Sequence, residues 1–143
     1  MIGFICAIIS GISMTLQGVF NTRLNEKIGS WETNTIVQAT GLILTLIILL
    51  FFRKGDFRAI KDVNKLYLLG GVLGVIIIYT VMVSIGSLGT TLGIGTILVA
   101  QLASAGVLDY FGLFGSEKGN FGMSQIIGVI VMIAGIVIFK WKH

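Results

Sequence analysis

Residues 35–52 read TIVQATGLILTLIILLFF. Eighteen residues of helix at this hydrophobicity are enough to cross the hydrocarbon core of a bilayer. The run does not alternate, as a strand of a transmembrane barrel would over about ten residues. A helix satisfies its own backbone hydrogen bonds in lipid, so a helix is the expected form. Four more blocks of similar length and apolarity lie outward from this one, at 1–20, 66–85, 92–111 and 121–139.

Charge placement supports the same five spans. The chain has 10 Lys and Arg and 6 Asp and Glu. All of them except Asp109 fall outside the five blocks. A charge at mid-membrane costs about 2.5–3.5 kcal/mol even on the lenient insertion scale, which explains the segregation. Of the 143 residues, 55% are hydrophobic and 11% charged, and the mean hydropathy is +1.01. An average soluble domain is about 25% charged, so disorder, coiled coils and most soluble enzymes are excluded. Cys6 has no intrachain partner, and one Cys with one His cannot build a zinc cage. The fold class is all-α integral membrane, in one domain over 1–143, located in the cell membrane. No basic residue precedes the apolar run of 1–20, so it reads as a span and not as a cleaved leader.

Five spans place the termini on opposite sides. The connections, 21–34, 53–65, 86–91 and 112–120, are too short for a soluble domain. Loops 53–65 and 112–120 carry Arg53, Lys54, Arg58, Lys61, Lys65 and Lys118 on one side. Arg23, Lys27, Lys140 and Lys142 lie on the other. The positive-inside rule leans to an inside N-terminus, whereas Arg23 and Lys27 after the first span argue the reverse. This conflict fits insertion in both orientations. The alternative is one orientation set by the five basic residues of 53–65. The net charge of +4 then faces anionic headgroups, and no nucleic-acid partner is expected.

Polar side chains inside the spans mark the candidate site. Ser10, Ser13, Gln17 and Asn21 are spaced three, four and four apart, along one helical face. Such a face turned to lipid would leave amides and hydroxyls unpaired, so it must meet protein or water. Gln38 and Thr45 lie on span two, with Asn34 one turn before Gln38. Span three has Tyr79, Thr80 and Ser84. Span four has Gln101, Ser104 and Asp109. These faces either converge on a cavity or act as hydrogen-bonding glue between helices. Asp109 is a possible ionisable or gating group, or a structural anchor paired with a basic loop residue such as Lys118.

The 20 glycines, with no proline, suit close helix packing in lipid. Gly3, Ala7 and Gly11 form one four-residue ladder, Gly70 and Gly74 another. The run GSLGTTLGIG (86–95) is the exception. There Gly89, Gly93 and Gly95 are candidate hinge positions. Enzyme chemistry finds little support: there is no phosphate loop, paired carboxylate, Cys–His combination or HExxH. No cofactor and no metal are expected.

At these residues the chain resembles a known family. LQGVFNTRL (16–24), LGGVLGVIIIYT (69–80), QLASAGVLDYFGLFG (101–115) and IIGVIVMIAGIVIF (126–139) are similar to the YdcZ-like family. Gln17-Gly18…Asn21 and Gln101…Ser104…Asp109…Gly112…Gly115 are the most specific pieces. This family comprises small five-helix members of the drug/metabolite transporter superfamily. More distantly, spans three to five resemble the small multidrug resistance transporters. The resemblance implies transport of small solutes by alternating access. It implies that this chain is one half of an inverted-repeat transporter, paired as an antiparallel homodimer or with a sister chain. It also implies a midplane site lined by helix one. Small multidrug resistance proteins carry a glutamate in helix one, where this chain has Gln17. Proton antiport through that helix therefore does not carry over, and a polar neutral or anionic solute becomes easier to accommodate. The alternatives are a non-transporting structural or regulatory module and a passive channel-like pore.

Overall fold

The computed structural model describes residues 1–116, 118–119 and 122–141. Among them there is no strand, and five helices are long and apolar enough to cross a membrane. They are α1 (Ile2–Ile28), α2 (Ser30–Phe52), α3 (Gly70–Leu88), α4 (Thr90–Phe111) and α5 (Met123–Lys140). The chain groups into two compact units, Met1–Val83 and Ser84–His143.

Two expected connections are absent. The 21–34 segment is helix on both sides of Gly29, and the 86–91 segment is helix on both sides of Gly89. Each glycine holds a conformation open to almost no other residue, φ 96° and ψ 161° at Gly29, φ 80° and ψ 162° at Gly89. The two joints also share a hydrogen-bond pattern. Gly29 N–H donates to Asn25 O, and Thr33 N–H donates to Gly29 O. Likewise Gly89 N–H donates to Ile85 O, and Gly93 N–H to Gly89 O. One helix therefore closes on the same residue from which the next one opens.

In the first unit α1 packs on α2. At 27 residues α1 is about 40 Å long, more than the roughly 30 Å hydrocarbon layer. Its excess is the charged end, where Arg23 and Glu26 pair at 3.0 Å across one turn. The charges there end the apolar block without ending the helix. Residues 53–64 contain a short 3-10 turn, Phe57–Asp62, and a second, Lys65–Leu69, leads into α3. Asp56 accepts from the Arg58 amide and Asn64 from the Leu66 amide, capping both turns.

Burial is inverted relative to a water-soluble protein. The buried polar side chains are Asn21, Thr22, Thr33 and Asn34, and the buried apolar ones are Met82 and Ile85. Lipid is as apolar as leucine, so there is no gain in hiding leucine from it, whereas polar groups gain by turning inward. All four lie within eight residues of Gly29 along the chain, two on α1 and two on α2. Asn34 Nδ2 donates to Val75 O at 2.8 Å, tying α2 to α3. Gln38 and Gly74 meet one turn further along, where a Cβ on Gly74 would stand 3.1 Å from Gln38 Nε2. Trp31 stacks on Tyr79 with ring centres 5.2 Å apart and planes 9° from parallel.

In the second unit α4 packs on α5. A Cβ on Gly95 would come within 3.1 Å of Ile136, and one on Gly93 within 3.1 Å of Ser84 Oγ and 3.3 Å of its carbonyl. Gly112, at φ 62°, ends α4 in the left-handed conformation. The span expected from residue 121 is a helix from Met123. Phe121, Lys142 and His143 lie outside the described residues.

Candidate functional site

Hydroxyls and amides in the spans behave differently. Thr15, Thr22, Thr35, Thr40, Thr45, Thr80 and Thr96 each donate to the carbonyl four residues earlier, at 2.8–3.0 Å. A threonine satisfied by its own helix makes no demand on a cavity or a neighbour. The carboxamides of Gln17 and Gln101 have no such option, and both are exposed. Neither makes a side-chain hydrogen bond among the described residues.

On α1 the four stripe residues divide. Asn21 is buried at 6% exposure, while Ser10, Ser13 and Gln17 lie on the surface of the chain. At 3.6 residues per turn, Asn21 stands about 40° round from Gln17, and buried Gly18 and Thr22 continue in the same direction to about 140°. Gln17 therefore borders the face packed in the first unit. Asn21 is buried, as are Thr22, Thr33 and Asn34. Thr22 and Thr33 escaped the sequence reading. The signal available for them was position: each lies one helical turn after a glycine, Gly18 or Gly29.

On α4, Gln101 and Asp109 are both exposed and lie eight residues apart. The Asp109 backbone oxygen accepts from the amides of Gly112 and Gly119, at 3.3 and 3.0 Å, which ties the following turn to the helix end. An ion pair between Asp109 and Lys118 is not formed. The Asp109 side chain lines a groove of about 470 Å³ between α4 and α5, with Leu102, Gly106, Gln125, Gly128 and Met132 among its walls. Gln125 is held there by its Oε1, which accepts from the Gly122 amide and the Ser124 hydroxyl.

The candidate hinge residues fall at different kinds of place. Gly89 is a joint between helices. Gly93 and Gly95 lie within α4, where the missing side chain admits Ser84 and Ile136.

The sequence family described as "Putative inner membrane exporter, YdcZ" matches residues 2–138. No curated protein and no solved structure matches the chain. Five helices fit to span a bilayer and a match over nearly the full length agree: the chain belongs to the YdcZ family of inner-membrane exporters, as a multi-pass protein of the plasma membrane.

Proposed function

We propose that this exporter moves a small polar solute by alternating access, and that two five-helix chains pair antiparallel around a central site. The α1 faces line that site. Gln17 supplies the hydrogen bonds to the solute, and Ser10 and Ser13 extend the polar wall. Asn21 anchors the end of the stripe against α2, and Gln101 supports the site or gates access to it. The partner is a second copy or a sister chain. Gly89 is the joint about which the helices rock, and Gly93 and Gly95 keep the helices close enough to move as a unit.

The observation that carries this reading is the outward stripe Ser10–Ser13–Gln17. It lies inside a membrane span, on the surface of the chain, with its carboxamide unpartnered. Lipid is a poor neighbour for such a group, because no acyl chain offers it a hydrogen bond and that lack costs free energy. A second α1 or a hydrated site removes that cost. Five helices of 18 to 27 residues barely enclose a pathway alone. An inverted partner supplies the other half and creates a site at the midplane.

The test is uptake into proteoliposomes of a small polar solute first identified by screening. Gln17→Ala abolishes saturable uptake while leaving the protein monodisperse and helical. C-terminal tags on a single expressed chain are reached from both sides of the membrane if the partner is a second copy, and from one side if it is a sister chain. Unchanged uptake by Gln17→Ala removes the site assignment.

A further inference from the structure

A second groove between α4 and α5 lies at the opposite end of the pair from Asp109. It has a volume of about 540 Å³. Its walls are apolar along most of its length, with Leu92, Leu98, Met132 and Ile136 among them. Thr90, Thr91 and Lys140 stand together at one end. Among the described residues, Lys140 is the only charged one lining it, and no acidic side chain does. The Thr90 and Thr91 hydroxyls make no hydrogen bond among the described residues, unlike the threonines deeper in the spans. Trp141 follows Lys140 and is 79% exposed, an aromatic ring at the depth where such rings meet headgroups.

Length narrows what can occupy the groove. From Thr90 to Leu98 on α4, and from Lys140 to Met132 on α5, is eight residues in each case. Both intervals correspond to about 12 Å of helix. One leaflet of hydrocarbon is about 15 Å deep. The groove thus runs from the headgroup level to near the midplane and no further. It offers a cation and two hydroxyls at the wet end and an apolar channel below.

We infer that this groove is a binding site for one anionic phospholipid. The phosphate lies at Lys140, Thr90 and Thr91, and an acyl chain lies along α4 and α5 down to Leu98 and Met132. Gly135 opens the wall: a Cβ built there meets nothing within 4 Å. The site does not depend on what the α1 face binds.

The experiment uses the full chain in nanodiscs of equal phosphatidylglycerol and phosphatidylcholine, followed by native mass spectrometry of the lipid retained after release. Phosphatidylglycerol is retained in preference to phosphatidylcholine. Lys140→Gln lowers that retention about fivefold, the effect of one basic residue near a charged membrane surface. Lys140→Arg preserves it. Gly135→Leu fills the channel and lowers retention of both lipids. Equal retention of the two lipids by the natural sequence overturns the inference, as does unchanged retention by Lys140→Gln. A lipid-free dimer that Gly135→Leu dissociates also overturns it, because a second copy then covers the groove. If Gly135→Leu fails to fold, the Lys140 pair decides alone, since that side chain is at the surface.

Discussion

Replacing Gly89 by alanine isolates the energy of a helix–helix joint from everything around it. Gly89 sits at φ 80° and ψ 162° between α3 and α4, and a Cβ placed there has no other atom within 4 Å. The cost is therefore confined to the local dihedral angles. A residue with a side chain in this region carries about 1–3 kcal/mol of strain. Gly29 has the same backbone geometry with one difference: a Cβ would stand 2.6 Å from Glu32 Oε2. That oxygen is the far end of an exposed, flexible side chain and can swing away. The two substitutions, Gly89→Ala and Gly29→Ala, should accordingly lose similar stability, and adding Glu32→Ala to the second should change it by less than about 0.5 kcal/mol. Gly128→Ala is the control. Gly128 is helical with open space at its Cβ, so alanine there gains about 0.5–1 kcal/mol from helix propensity. Reversible unfolding in bicelles, followed by steric trapping, measures all of them. A Gly89→Ala protein within about 0.5 kcal/mol of the natural one refutes the one-residue joint.

Gly93→Ala tests packing and not backbone strain. Its Cβ would crowd the carbonyl carbon and oxygen of Ser84 at 3.3 Å, and these backbone atoms cannot rotate away. It should destabilise by about 1–3 kcal/mol in the same unfolding assay, the range for overpacking a close contact. Asn34→Asp removes the Nδ2 donor to Val75 O and puts a carboxylate at a site only 3% exposed. A buried charge without a partner costs about 3–5 kcal/mol, so this protein should fail to accumulate in the membrane. Asn34→Leu, which removes donor and acceptor together, should accumulate, and a blot of membrane fractions separates the two.

The five spans were legible because lipid excludes charge, and charge can be counted along a chain. The one-residue joint at Gly29 was not, for a related reason. Arg23, Glu26, Lys27 and Glu32 end the apolar character, but an ion pair such as Arg23–Glu26 supports a helix as well as any apolar residue does at the membrane surface. Hydropathy thus reads where the bilayer ends and is silent on where the helix ends. The Gly89 joint was flagged by the glycine run 86–95, whereas the cue at Gly29 was a single glycine followed by a serine, with no glycines clustered around it. The α1 stripe was legible as a face. Its division was not, because Asn21 and Gln17 differ by only about 40° on the helix, and the boundary between them is drawn by α2.

Chemical type and position together sort the polar residues: among the described residues, Thr33 Oγ1 is buried without a partner, whereas most span threonines bond their own helix. A hydroxyl in a helix can reach the carbonyl one turn back, and seven threonines do so here. A glutamine has a donor and an acceptor on a longer arm and needs a partner outside its own helix. Polar contacts between helices in a bilayer average only about 0.6 kcal/mol, because the separated helices also find partners. That small figure suits the proposed use of Gln17. A bond of several kcal/mol across the antiparallel interface would lock two α1 faces together and leave no room for a solute. One worth a fraction of a kcal/mol can be exchanged for a solute's hydrogen bonds at almost no cost, so occupancy of the site is set by the solute. Replacing Gln17 by leucine should then strengthen or preserve the pairing of the chains while abolishing transport. Cross-linking together with uptake in the same vesicles would read this out, and loss of pairing along with transport would show that Gln17 holds the chains together and does not hold the solute.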